Sequence, residues 1–195
     1  MRKFLYTAIY AVVLVLTGIG TAVAAGLGQN IAVRLVGDAT AYPGDDLFEA
    51  FGVEAPPSFC WDFDLEDINT GNVIGTVTDC GAIVDTVGGT LGVDDIEDLG
   101  FQVIGTSFFY LPGGTVGTQV LTTVQPVIHG SPDHTHITGA VPQSDDSNVI
   151  YGDGRFANAE GTARLSGTGN FSKFLATGEV YFDCIFVLDL GPESR

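Results

Sequence analysis

All three histidines of the chain, His129, His134 and His136, stand in one stretch, HGSPDHTHITG, with Asp133 among them. Imidazoles bind metals or move protons near neutral pH, and these residue types in one turn could do either. His134 and His136, two apart on a strand, share a face with alpha carbons about 7 Å apart. A metal there needs at least one further ligand, and His129, beyond Pro132 and Asp133, does not provide it by spacing alone. Ile137 and Val141 take the opposite face of the same strand, which sends His134 and His136 outward or toward a rim. No metal is assigned, and a structural or rim role stands beside proton transfer.

Other ionisable groups lie on apolar strands. Asp79 and Asp183 each begin a DC pair. A carboxyl turned toward an apolar interior has a raised pKa, as suits a general acid or base, with Tyr151 or a histidine as its partner in proton transfer. Arg155 follows a glycine-rich turn, but the loop lacks a Lys-[ST] continuation and leads into a strand, so it is no phosphate cradle. Salt bridging is the plain reading of Arg155 and Arg164. Neither a GxSxG element nor a Cys-His nucleophile context is present. The acidic runs GDDL, VDDIED and QSDDSN lack the ligand spacing of an EF-hand loop.

The elements that must position these groups begin after a targeting segment. Arg2 and Lys3 precede an apolar run from Ala8 to Ile19 and then TAVAAG, a pattern of signal-peptidase cleavage after Ala24 or Ala25. Residues 1–25 therefore read as a secretory signal, too short in its apolar core for a membrane anchor, and the mature chain as secreted or extracytoplasmic. Without Arg2 and Lys3, five basic side chains face 24 acidic ones, a field that repels nucleic acid and anionic membranes. Residues 26–58 are broken by Pro43, Gly44, Pro56 and Pro57 and read as an irregular extension with one short helix at DDLFEAFG.

From Phe59 the texture changes to alternating apolar and polar residues punctuated by glycine. Candidate strands span 59–67, 72–84, 100–111, 115–128, 134–141, 147–152, 160–169 and 177–190. Without intervening helices, eight such strands pair as antiparallel hairpins and close into an all-β, up-and-down barrel over 59–191. The sequence INTGN reads as a three-residue turn with Gly71 in the left-handed position. Paired residue numbers then sum to 140, placing Trp61, Phe63 and Leu65 on the lumenal face with Asp79 opposite Trp61. Phe101, Val103 and Phe109 back onto Ile104, Phe108 and Tyr110, and Phe182, Phe186 and Leu188 onto Tyr181, Ile185 and Val187. A wall apolar on both faces predicts an oligomer, with a folded-back extension as the alternative.

The stretch VIYGDGRFANAEGTARLSGTG, followed by GEVYFDCIFVLDL, resembles the carboxy-terminal signature of the allene oxide cyclase barrel superfamily, in particular of dirigent-like proteins. Gly152, Gly154, Arg155, Phe156, Ala159 and Gly161 match its G-x-G-[KR]-F and A-x-G pattern. Asp153 departs from it, standing where threonine is usual. The resemblance implies an eight-stranded barrel, typically a trimer, with an apolar lumen open at one end and no cofactor bound by the barrel. Such proteins cyclise an unstable lipid epoxide or steer the coupling of phenoxy radicals.

The chain is therefore expected to bind a hydrophobic small molecule in the lumen and steer its reaction. Trp61, Phe63, His134, His136 and Arg155 are the candidate contacts. The alternatives are a cyclase or isomerase using Asp79 or Asp183, and a structural barrel filled by its own side chains. An open apolar cavity with one perturbed carboxylate favours catalysis, and one without it favours binding. The same register sets Cys60 opposite Cys80 on the outer face, which predicts a disulfide there and leaves Cys184 as a buried thiol; the rival is a Cys184–Cys60 bridge, since closure makes the last strand a neighbour of the first.

Overall fold

The computed structural model describes residues 29–86, 100–127, 133–140 and 147–192. The proposed signal segment and His129 lie outside the described residues. Among the described residues ten strands form one antiparallel sheet: β1 (Gln29–Thr40), β2 (Tyr42–Pro43), β3 (Phe59–Asp67), β4 (Val73–Thr86), β5 (Phe101–Leu111), β6 (Gly114–Pro126), β7 (Thr135–Ala140), β8 (Val149–Gly152), β9 (Ala159–Asn170) and β10 (Glu179–Pro192). Among the described residues two helices, α1 (Asp45–Phe51) and α2 (Phe174–Thr177), lie between them. Around the sheet the order is β1, β10, β9, β7, β6, β5, β4, β3, and pairing of Val33 with Asp67 and Leu35 with Leu65 joins the ends. The result is a closed barrel of eight staves, which leaves no long free edge.

The eight staves are not the eight strands expected. β7 and β8 both run along β6, at Leu121–Pro126 and Val116–Thr118, and so make two pieces of one stave. The remaining stave is β1, drawn from the segment read as an irregular extension. Its sequence QNIAVRLVGDAT precedes every proline of that segment and alternates cleanly, with Val33 and Leu35 buried in the lumen and Arg34 on the outside.

Side-chain alternation fixes the two faces of every stave. On β10 the even-numbered residues from Val180 to Leu190 are buried, and Tyr181 and Ile185 are exposed. The lumen below the mid-level is filled: Phe109 and Phe186 meet edge to face with centroids 5.1 Å apart, and Phe156 is carried into the base by a 3₁₀ turn at Gly154–Phe156. Each such buried aromatic contributes roughly 2–3 kcal/mol of apolar transfer.

The first hairpin keeps the expected register from Phe59↔Gly81 to Leu65↔Gly75, but its turn differs. Asp67 N–H donates to Asn72 O, so the loop is four residues long, and a bulge at Ile74 restores the sum-to-140 pairing. Gly71, with φ 69°, does take the left-handed position. The Asp67 carboxylate supports the turn by accepting from the backbone N–H groups of Asn69 and Thr70 and from the Thr70 hydroxyl.

The outer apolar face of β5 is covered by the chain itself. Phe51 of α1 stacks on Phe108 at 4.3 Å and meets Tyr151 edge-on at 4.7 Å, and Phe48 lies 6.5 Å from Phe108. The folded-back extension therefore accounts for the β5 face that suggested an oligomer. The Cys60–Cys80 disulfide forms under this helix, with alpha carbons 4.0 Å apart, and both cysteines belong to the same outer cluster. A Cβ at Gly44, the residue that starts α1, would come within 2.5 Å of Cys60 Sγ, so the helix is seated directly on the bridge.

Candidate functional site

Toward the end of the barrel away from Phe156, the lumenal side chains shrink and a cavity of about 270 Å³ remains. Two reasons are visible in the sequence. Gly81 and Gly105 are cross-strand partners that place no side chain into the lumen at this level, and the large residues of the adjoining strands are aromatics arranged around the space rather than across it. Trp61, Phe101, Phe171, Phe174, Phe182 and Phe186 form these walls. Phe59, Ile83 and Leu175 line the cavity yet are 52%, 39% and 65% exposed, which marks the mouth. α2 and the Phe171–Ser172 turn before it form one lip, held by Trp61 Nε1–H donating to Gly178 O at 3.4 Å.

Asp79 stands on this wall. Its neighbours are set by register: Trp61 across β3 and Ser107 across β5. The fully buried Ser107 hydroxyl donates to Asp79 Oδ1 at 2.5 Å. What exposure Asp79 keeps is onto the cavity, among apolar atoms, and burial pushes its carboxyl up to about 6, against the lowering effect of the Ser107 hydrogen bond. Among the described residues that line the cavity it is the only carboxylate, and none of them is a cation.

Cys184 also lines the cavity, on β10. Burial, helped by the negative charges of Asp79 and Asp183, pushes its thiol up to about 12. It is free, as expected, and too weakly acidic to be a ready nucleophile. Thr122 adds a hydroxyl on the β6 side of the wall, and that oxygen has no hydrogen-bond partner among the described residues.

The other sequence candidates separate from this site. Phe63 packs in the lumen below the cavity, 5.5 Å from Phe182. Asp183 faces outward, where Arg34 Nε and Nη2 donate to its two oxygens at 2.8 and 2.7 Å; the guanidinium holds its carboxyl below the usual range. It is no lumenal acid, because the odd positions of β10 point out. Tyr151 is likewise on the outside, packed under α1, with its hydroxyl donating to Asp153 Oδ2 at 3.1 Å. His134 and His136 are exposed on the outer face of the stave whose Ile137 lines the cavity. Arg155 sits at the closed end, its guanidinium 4.5 Å above the Phe156 ring. Among the described residues no cluster suited to a metal ion is present.

The sequence reading placed Asp79 and Trp61 together and missed Ser107, whose only signal was its position opposite Asp79 once β4 and β5 are paired. Leu35 of β1 and the Phe171–Leu175 lip were missed for a different reason: their segments were not assigned to the barrel lumen.

No protein-family profile and no curated protein matches the chain. Among solved structures, the Diels Alderase AbmU from Streptomyces koyangensis is 15% identical, over 97% of this chain and 82% of that one, with a TM-score of 0.37. A second, described as a nonspecific heme-binding cyclase that catalyzes a (4 + 2) cycloaddition during neoabyssomicin biosynthesis, is 15% identical over 96% of this chain and 76% of that one, with a TM-score of 0.35. Likenesses this distant carry no argument about the site, which stands on its own geometry.

Proposed function

We propose that the barrel takes one hydrophobic small molecule into its lumen, holds the molecule's polar group at Asp79, and steers its reaction there. The observation that carries this reading is a carboxyl placed alone, among the described residues, on the wall of an aromatic-lined cavity with an open mouth. A filled lumen would have supported a structural barrel. Ligand sites of this kind are mostly apolar with a few convergent polar groups.

The raised pKa of Asp79 favours a second reading on the same residue, a cyclase or isomerase of the allene oxide cyclase type in which Asp79 is the general acid or base. Export fits the Cys60–Cys80 bridge, since disulfides persist in oxidising compartments. The resemblance to dirigent-like trimers is consistent with Tyr181 and Ile185 remaining exposed on the outer wall.

Native mass spectrometry of protein purified from its own host, with extraction of any bound molecule, tests occupancy and oligomeric state together. Naphthalene, a neutral probe, tests the lumen directly, because Trp61 is the only tryptophan in the chain and stands on the cavity wall. Saturable quenching of Trp61 is expected. A protein that arrives with no ligand and shows no saturable response to naphthalene overturns the reading.

A further inference from the structure

We propose that the polar group recognised in the lumen is cationic: the ligand class is a lipophilic ammonium whose charge rests at the Asp79 carboxylate and against the Trp61 ring. This rests on the lumenal-binding reading and narrows it to a chemical class.

Charge balance is the first ground. A buried carboxylate in a folded protein ordinarily has a cationic or multiply donating partner. Asp183, only half-buried, has Arg34 on both of its oxygens. Asp79, on the lumenal side, has the Ser107 hydroxyl and, among the described residues lining the cavity, no cation. A bound ammonium would bring such a cationic partner to Asp79.

The walls supply the second ground. Aromatic faces carry negative quadrupole density and attract cations, with indole the strongest of the three rings. Trp61 is the cross-strand neighbour of Asp79, and its ring centroid lies 5.9 Å from that of Phe174 and 5.8 Å from that of Phe182. Three aromatic rings and one carboxylate therefore line the same cavity, the combination of groups by which proteins recognise alkylammonium ions. The third ground is the field of the whole chain, with a net charge of −17, which concentrates cations and repels anions near the mouth.

A neutral carbonyl ligand is the competing class. It accepts a hydrogen bond only from the protonated carboxyl, a form that becomes the minority as pH rises above about 6. The two classes therefore predict opposite pH dependences, because an ammonium competes with a proton for the same oxygen atoms and a carbonyl requires that proton. Of the other groups facing Asp79, Ser107 on β5 and Trp61 on β3 do not titrate. The Cys184 thiol on β10 is silent below pH 10, and Asp183 lies on the outer face in its pair with Arg34.

Phenyltrimethylammonium and tert-butylbenzene are near-isosteres that differ in charge, and neither titrates. Trp61 fluorescence on the full chain, with Asp79→Asn alongside, separates the cases. At pH 8 we expect the ammonium to bind at least about tenfold more tightly than the hydrocarbon. That preference should vanish in Asp79→Asn, and should fall as pH drops through 6, by about tenfold per pH unit at most, until it is gone. Equal or tighter binding of tert-butylbenzene at pH 8 overturns the cation assignment and leaves lumenal binding standing. A preference that survives Asp79→Asn also overturns it, since the attraction is then that of the acidic surface. Failure of both probes and of naphthalene overturns the lumenal reading itself.

Discussion

Ser107 and Asp79 face each other across β4 and β5, and the serine hydroxyl donates to Asp79 Oδ1 at 2.5 Å. The bond stabilises the charged form of a carboxyl that burial otherwise pushes toward neutrality, and it commits one oxygen to the wall. Replacing Ser107 with alanine removes the effect that lowers the pKa and leaves the desolvation. The Asp79 pKa should then rise above its present value of about 6 by roughly one unit. A carbon-13 NMR titration of the aspartate carboxyls reads this directly. Ser107→Thr, which keeps the hydroxyl, should restore the original midpoint; an unchanged midpoint in Ser107→Ala would show that the hydrogen bond does not set it.

Asp79 should also be a cost to stability at alkaline pH. Its folded pKa of about 6 lies above the ordinary aspartate value of 3.8, so the folded state binds more protons than the unfolded one between those values. The contribution of this group to stability is then fully present below pH 3.8 and is lost as pH rises through 6. Two pKa units correspond to about 3 kcal/mol at most, reduced by whatever water enters the cavity. Asp79→Asn should therefore be more stable than the parent at pH 8 by about 1–3 kcal/mol, with the difference closing by pH 4. Urea unfolding at several pH values measures it. A variant less stable than the parent at pH 8 would mean that the carboxylate is satisfied in a way the Ser107 bond does not explain.

How far the sequence revealed this site depends on which residues carried the information. Alternation from Phe59 to Leu65 and the turn at Gly71 were enough to put Trp61 and Asp79 face to face in the lumen. That register survived because two single-residue differences compensate: the loop is one residue longer than expected, and the bulge at Ile74 takes up the shift. The Cys60–Cys80 bridge follows from the same pairing. Asp183 shows the opposite case, since an aspartate beside a cysteine on an apolar strand looks the same whether it points in or out. Its direction follows from the parity of β10, and its partner Arg34 belonged to a strand hidden by the prolines that follow it. Cavity and lip were illegible because they depend on which side chains fail to meet, a property of closure rather than of any local pattern.

The bridge and the helix it supports should be lost together. Cys60 and Cys80 are separated by 20 positions, and the chain-entropy model gives about 3 kcal/mol for closing a loop of that size. The bridge also forms the floor on which Gly44, Phe48 and α1 rest. A Cys60→Ala/Cys80→Ala double variant should lose about 3 kcal/mol or more and expose Phe108 to solvent. Hydrogen exchange should then quicken over residues 44–53 while β9 and β10 stay protected. Loss confined to global stability, with no local change around α1, would separate the helix from the bridge. Non-reducing peptide mapping of the parent should give one linked pair, Cys60 with Cys80.

Cys184 offers a readout of the cavity that does not depend on knowing its ligand. The thiol lines the lumen, and its pKa of about 12 leaves on the order of one molecule in 10⁴ ionised at pH 8, against about a quarter for a free cysteine. Alkylation by iodoacetamide should be roughly a thousandfold slower in the native protein than in 6 M guanidinium. Removing the nearby negative charge with Asp79→Asn lowers the thiol pKa and should accelerate the native reaction, because Asp79 is one of the charges that raise it. Occupancy of the lumen should slow it, by blocking the route from the mouth to the sulfur. Intact-mass measurement of the time course follows all three. Native alkylation as fast as in guanidinium would place the thiol in solvent and remove Cys184 from the cavity wall.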